Sequence, residues 1–162
     1  MKEIELTAEE LEFAAKLWGL SEEERKTILP KITGAQKRFI RHWPELFEYK
    51  ILAEVVWAKN CIRNAKAGDK MVFSAMGSWL IEESTFRCAW AAGAMLPMMY
   101  GISDRIMDEL DPAYMGMDYI KCPDMEPEEG GTGSVLFKLH FIKEKRKMPE
   151  GAHRTGVDKV LE

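Results

Sequence analysis

Three cysteines, Cys61, Cys88 and Cys122, lie far apart in this 162-residue chain, and the local pattern puts each where a strand or helix begins or ends. Side chains at element ends converge on one rim of a small domain, where a rigid scaffold carries a site. The three thiols are therefore the candidate functional cluster. Cys88 leads it, because it falls in the first turn of an expected helix. Unpaired amides and the helix dipole there favour a thiolate, and Arg87 adds a positive charge. The competing reading packs Cys88 as a small apolar residue beside Ala91 and Met95. Asp124, two residues after Cys122, suits a general base, a metal ligand or the cap of a turn. Cys88 as nucleophile and Asp124 as acid or base are the catalytic candidates.

Three thiolates at one point would make an incomplete zinc site or hold an iron–sulfur cluster with one iron open. Cys61, Cys88 and Cys122 are thus the candidate metal ligands, and zinc or iron the candidate cofactor. The spacing weighs against a metal, since no two cysteines form the close pair that seeds such sites. The histidines add no fourth ligand: His42 falls in a helix, His140 in a strand and His153 in the C-terminal tail. Eleven methionines are many for this length, and most accompany the cysteines. They fill a methionine-rich core or, with aromatic neighbours, line an adaptable apolar pocket. Cys61, Cys122, Trp90, Met95 and Met99 are the candidate pocket residues. The loop Glu128–Ser134 is glycine-rich but leads into a strand instead of opening a helix, so it does not read as a phosphate loop. Its glycines suit a tight turn or a close backbone approach.

The elements that must position these residues carry written signals. Thr7 with Glu10 and Ser21 with Glu24 are capping-box pairs, and Thr33 can start a third helix bearing Phe39, Ile40, Trp43 and Phe47 on one stripe. Pro44 is expected to bend it. From Tyr49 the period becomes strand-like, Gly68-Asp69 is a turn, and Lys70 to Ser74 returns beside the first strand. Ser84 or Thr85 can cap a long helix that Pro97 interrupts. Met117 to Lys121 and Val135 to Ile142 complete the strands. The expected fold is α+β. N-terminal helices (1–48) precede a β-β-α-β-β unit (49–147), whose small antiparallel sheet has a helix packed on one face, and a flexible tail (148–162) follows.

Composition narrows the function. A net charge of -4 and a pI near 5.5 exclude a general nucleic-acid binder, which needs a concentrated basic face; the run Lys143 to Lys147 reads as a solvated strand end. The longest apolar run, Ala89 to Tyr100, falls short of the roughly 20 residues that cross a bilayer. The N-terminal segment is acidic and polar, unlike a secretory signal, and the odd cysteine count suits a reducing compartment. A cytoplasmic protein with no membrane partner is expected.

The stretch from Tyr49 to Lys143 resembles an uncharacterised prokaryotic family of short proteins. Its members order a cysteine after the first strand, a Gly-Asp turn, a Cys-Pro-Trp opening a helix and a Cys-Pro-Asp before a final strand. The corresponding features here are Cys61, Gly68-Asp69, Cys88-Ala89-Trp90, Cys122-Pro123-Asp124 and Gly133-Ser134-Val135-Leu136-Phe137. Ala89 stands where the family has proline, and Arg63-Asn64 where many members carry Gly-His, which removes a histidine ligand. The resemblance implies the fold and the grouping of the cysteines. Cys88 and Trp90 also resemble the Cys-x-Trp motif of the L-2-amino-thiazoline-4-carboxylate hydrolases, which implies a hydrolytic site. Two functions are expected from these readings. One is a small enzyme or enzyme accessory with a cysteine-lined site for a small molecule or metal. The other is a noncatalytic ligand-binding or assembly domain, homo-oligomeric through its N-terminal helices.

Overall fold

The computed structural model describes residues 4–144. The expected tail from Met148, with His153 and most of the basic run, lies outside them. The chain forms two compact units, one holding the chain up to Pro44 and one spanning Glu45–Lys145.

Two helices and most of a third build the first unit: α1 (Ala8–Leu17), α2 (Glu22–Ile28) and α3 (Gly34–Glu48), whose last residues fall in the second unit. Each starts where its cap was expected. Glu10 N–H donates to Thr7 Oγ1 and Glu24 N–H to Ser21 Oγ, each glutamate reaching back to the cap amide. Gln36 plays the same part for Thr33, whose N–H donates to Gln36 Oε1 at 2.8 Å. Ala14, Ile32 and Ile40 form the buried centre, packed by Leu11, Phe13, Trp18 and Leu29. Trp43 lies half-buried, its ring edge-on to Phe39 at 4.9 Å. The division between the units falls after Pro44, which lacks the N–H that would bond to the Ile40 carbonyl.

The second unit contains β1 (Tyr49–Lys59), β2 (Lys70–Ser74), α4 (Ala89–Met107), β3 (Tyr119–Lys121) and β4 (Ser134–Lys143). All neighbours are antiparallel, in the order β2-β1-β4-β3. The α+β fold and the β-β-α-β-β order are therefore as expected from sequence. β1 and β4 pair from Tyr49 opposite Lys143 to Lys59 opposite Ser134, with one irregularity between Val55 and Trp57. Alternation puts Ile51, Ala53 and Val55 on one face with Met71, Phe73, Phe137 and Leu139, all buried. Ala91, Met95, Met99, Ile102 and Ile106 make the buried stripe of α4. Ser103 Oγ donates to the Ala75 carbonyl at 2.7 Å, and the Phe86 ring stands 6.2 Å from that of Phe137.

Three expectations are corrected here. Ser84 and Thr85 do not cap α4. They seal the outer edge of β2, with Val72 N–H donating to Ser84 Oγ at 3.0 Å and Lys70 N–H to Thr85 Oγ1 at 2.9 Å. An edge strand leaves donors unpaired, and the two hydroxyls satisfy them. β3 begins at Tyr119 and not at Met117, although the Asp118 carbonyl already accepts from Leu139 N–H at 2.7 Å. α4 runs through Pro97 as one 19-residue helix. On the other sheet face Lys50 is buried, with Nζ 2.6 Å from Glu83 Oε2 and 2.7 Å from Glu144 Oε2, which joins the end of β4 to the 3₁₀ turn Ile81–Glu83.

Candidate functional site

Strand pairing brings the cysteines to one end of the sheet. β1 meets β4 at Lys59 and Ser134, and β3 meets it at Lys121 and Leu136. Cys61 follows the end of β1, and Cys122 extends β3 by donating its N–H to the Val135 carbonyl at 2.8 Å. The two therefore flank the start of β4 from either side. Cys88 is the N-cap of α4 and lies just outside its first turn; its carbonyl accepts from Ala92 N–H at 2.9 Å, and its side chain makes no capping bond. All three thiols are free and half-buried. Burial pushes the Cys122 thiol above its ordinary range, the Asp124 amide acts against that, and Cys88, Asp124 and Cys61 each raise it further through their charge. Cys88 and Cys61 thus each lie within electrostatic reach of Cys122.

Electrostatic reach is not coordination. Among the described residues no group of three or more histidine, cysteine, aspartate or glutamate side chains could hold a metal ion. The expected zinc or iron set of Cys61, Cys88 and Cys122 is not assembled. Each thiol hangs from a different element end, and no turn carries two of them to begin a chelate.

Beside Cys88 and Cys122 a surface concavity of about 300 Å³ opens between Trp90 and Pro123, Asp124, Met125, Gly130 and Gly131. Of the expected pocket residues Trp90 alone lines it; Cys61 and Cys122 do not, although Cys122 directly precedes the lining residue Pro123. Met95 and Met99 are buried on the inner stripe of α4. At about 100° per residue they lie on the side of the helix opposite Trp90, so they belong to the core.

Asp124 is committed to its own loop. Its carboxylate accepts from Thr132 N–H at 3.1 Å and from Thr132 Oγ1 at 2.5 Å. The Thr132 hydroxyl, then the amides of Thr132, Met125 and Gly133, hold the carboxyl below its usual range against a small opposing effect of desolvation. A carboxylate so bound is a weak base and carries no proton at neutral pH. The expected acid–base role gives way to that of a loop clasp. A lowered folded pKa means that the clasp contributes fully above the ordinary aspartate value of about 3.9. That contribution is lost as pH falls through the lowered folded value. The Thr132 amide should accordingly stay protected from hydrogen exchange through mildly acidic pH and lose protection only below it; protection already lost near pH 5 would refute the clasp.

The ion pairs of this end carry no motif and were not foreseen. Lys59 Nζ, at the end of β1, lies 2.7 Å from Glu126 Oε2 and 3.8 Å from Glu128 Oε1. Glu126 first and Glu128 second raise the lysine pKa, and Lys59 lowers that of Glu126. Gly133 is buried where a Cβ would collide with the Asn60 carbonyl, and Gly131 where one would collide with the Met125 backbone. The glycine spacing was the available signal, and it does mark close backbone approach, here between the loop and the strand end bearing Cys61. Chemically the end offers three thiols, one held protonated, beside an aromatic and thioether wall at a helix N-terminus, where the dipole favours negative charge. Comparison of the chain with protein-family models, with curated proteins and with solved structures gives no match.

Proposed function

We propose that this chain binds a small apolar or aromatic molecule in the concavity between Trp90 and the loop 123–131, with Cys88 as the thiol presented to it. The observation that supports this reading is an open concavity walled by Trp90 and Met125, whose lining begins two residues after Cys88 and one after Cys122. Exposed indole and thioether groups bind planar and apolar ligands well. Cys88, at the end of a long helix, is the member best set to act as a nucleophile. Cys122 keeps its proton and can donate to a ligand; Asp124 shapes the loop. The Cys-x-Trp likeness to amino-thiazoline carboxylate hydrolases agrees with a ligand facing Cys88 and Trp90, and makes hydrolysis the first reaction class to assay.

The test is a time course of alkylation by iodoacetamide, resolved by peptide mass spectrometry. Cys88 should be modified first at neutral pH. Cys122 should lag and accelerate only as pH rises above the ordinary thiol range, since the thiolate is the reacting form. Equal, slow modification of all three would remove the reactive-thiol reading and leave a noncatalytic binding surface.

A further inference from the structure

The outer side of α4 is as apolar as its buried side. From Cys88 to Ser103 the sequence CAWAAGAMLPMMYGIS contains no charged residue. Yet Ala89, Trp90, Gly93, Leu96, Pro97 and Tyr100 are all exposed. A helix without a polar face is one that is covered on all sides. The segment after α4 extends the same surface. Met125 shares the concavity with Trp90. Met115 Cε would lie 3.7 Å from a Cβ on Gly101, which sets its neighbours Tyr114 and Met117 beside the helix near Tyr100. Trp90, Leu96, Tyr100, Tyr114, Met117 and Met125 are between 51% and 81% exposed.

We infer that this face is a homodimer interface, in which α4 packs antiparallel against α4 of a second copy. Area and charge favour that occupant. At about 200 Å² for a large side chain, the six residues present on the order of 800 Å². This exceeds the roughly 300–600 Å² of the largest patch on an ordinary monomer. It also matches the roughly 800 Å² that each partner contributes to a stable interface. Across a two-fold axis the residues at the centre of the face meet their own copies, where a charge would be repelled by its identical partner, and Cys88 to Ser103 carries none. The N-terminal helices, by contrast, pack their aromatic stripe within their own unit, with Ile40 buried and Phe13, Phe39 and Trp43 half-buried against one another.

The backbone suits the same occupant. Gly93 lets two helices approach closely. Pro97 has no N–H to give to the Gly93 carbonyl, and both residues lie on the exposed side of the helix. The inference does not depend on the reading of the thiol site: the dimer stands or falls whether or not Cys88 reacts.

The experiment is sedimentation equilibrium of the full chain, with Leu96→Glu and Tyr100→Lys made separately. Wild type should be a dimer at micromolar concentration. Each variant should dissociate about 100-fold more readily, as expected when a charge enters the centre of an interface, with an unchanged circular dichroism spectrum. Using two exposed positions of opposite introduced charge separates loss of the interface from failure to fold. A wild-type monomer at every concentration, or a dimer that neither variant weakens, would overturn the interface. Binding of wild-type monomer to phosphatidylcholine vesicles would assign the face to a lipid surface instead.

Discussion

Gly133→Ala should lower the stability of the Glu45–Lys145 unit by about 2–3 kcal/mol, the range for forcing extra atoms into a packed position. For a unit of this size that is about 10–20 °C in melting temperature. Gly133 is buried with its Cα turned onto the carbonyls of Lys59 and Asn60, so the methyl has only backbone to displace. The displaced backbone is the strand end leading into Cys61, and the change should also quicken alkylation of Cys61 by iodoacetamide. Gly131 meets the Met125 backbone in the same way and should behave alike, whereas Gly93, with nothing near its missing Cβ, should accept alanine. A melting shift of a few degrees or less at Gly133 would mean that the loop yields freely. The claim that it fixes the cysteine end would then be wrong.

Phe137→Ala should be costlier, about 3–5 kcal/mol by urea unfolding, as for deletion of a fully buried aromatic ring. Phe137 has no exposed surface. It sits in β4 opposite Val55 of β1 and Ile120 of β3, with the Phe86 ring beside it. The alanine removes packing from two strand pairs and from the approach to α4 at once, and the strands it joins are those that end in Cys61 and Cys122. Loss of less than about 1 kcal/mol would show that the sheet does not rely on this ring.

Local features were legible because their causes are local. The pairs Thr7/Glu10 and Ser21/Glu24 start their helices where the residues demand it, since a cap is satisfied within one turn. The change of period at Tyr49 marks the first strand, and Gly68-Asp69 turns it back, with Asp69 accepting from Lys66 N–H at 2.9 Å. Ser84 and Thr85 were misread because a hydroxyl suits a helix cap and a strand edge equally well. The choice was made by the unpaired amides of Val72 and Lys70, residues distant in sequence. Asp124 stayed open between base, metal ligand and turn cap for a similar reason: which of them a carboxylate is depends on what reaches it, and Thr132 reaches it only through the folded loop.

By itself the sequence determined the α+β order, the starts of the first three helices and the placing of each cysteine near an element end, because propensity, capping and hydrophobic period act between near neighbours. Only the tertiary structure decided the strand order β2-β1-β4-β3, which sets Cys61 and Cys122 on either side of β4. It also separated Trp90, on the open side of α4, from Met95 and Met99 in the core, and left the thiols without a metal-holding group among the described residues. Those outcomes follow from which surfaces meet when the sheet closes under its helix, and no near-neighbour rule contains that information.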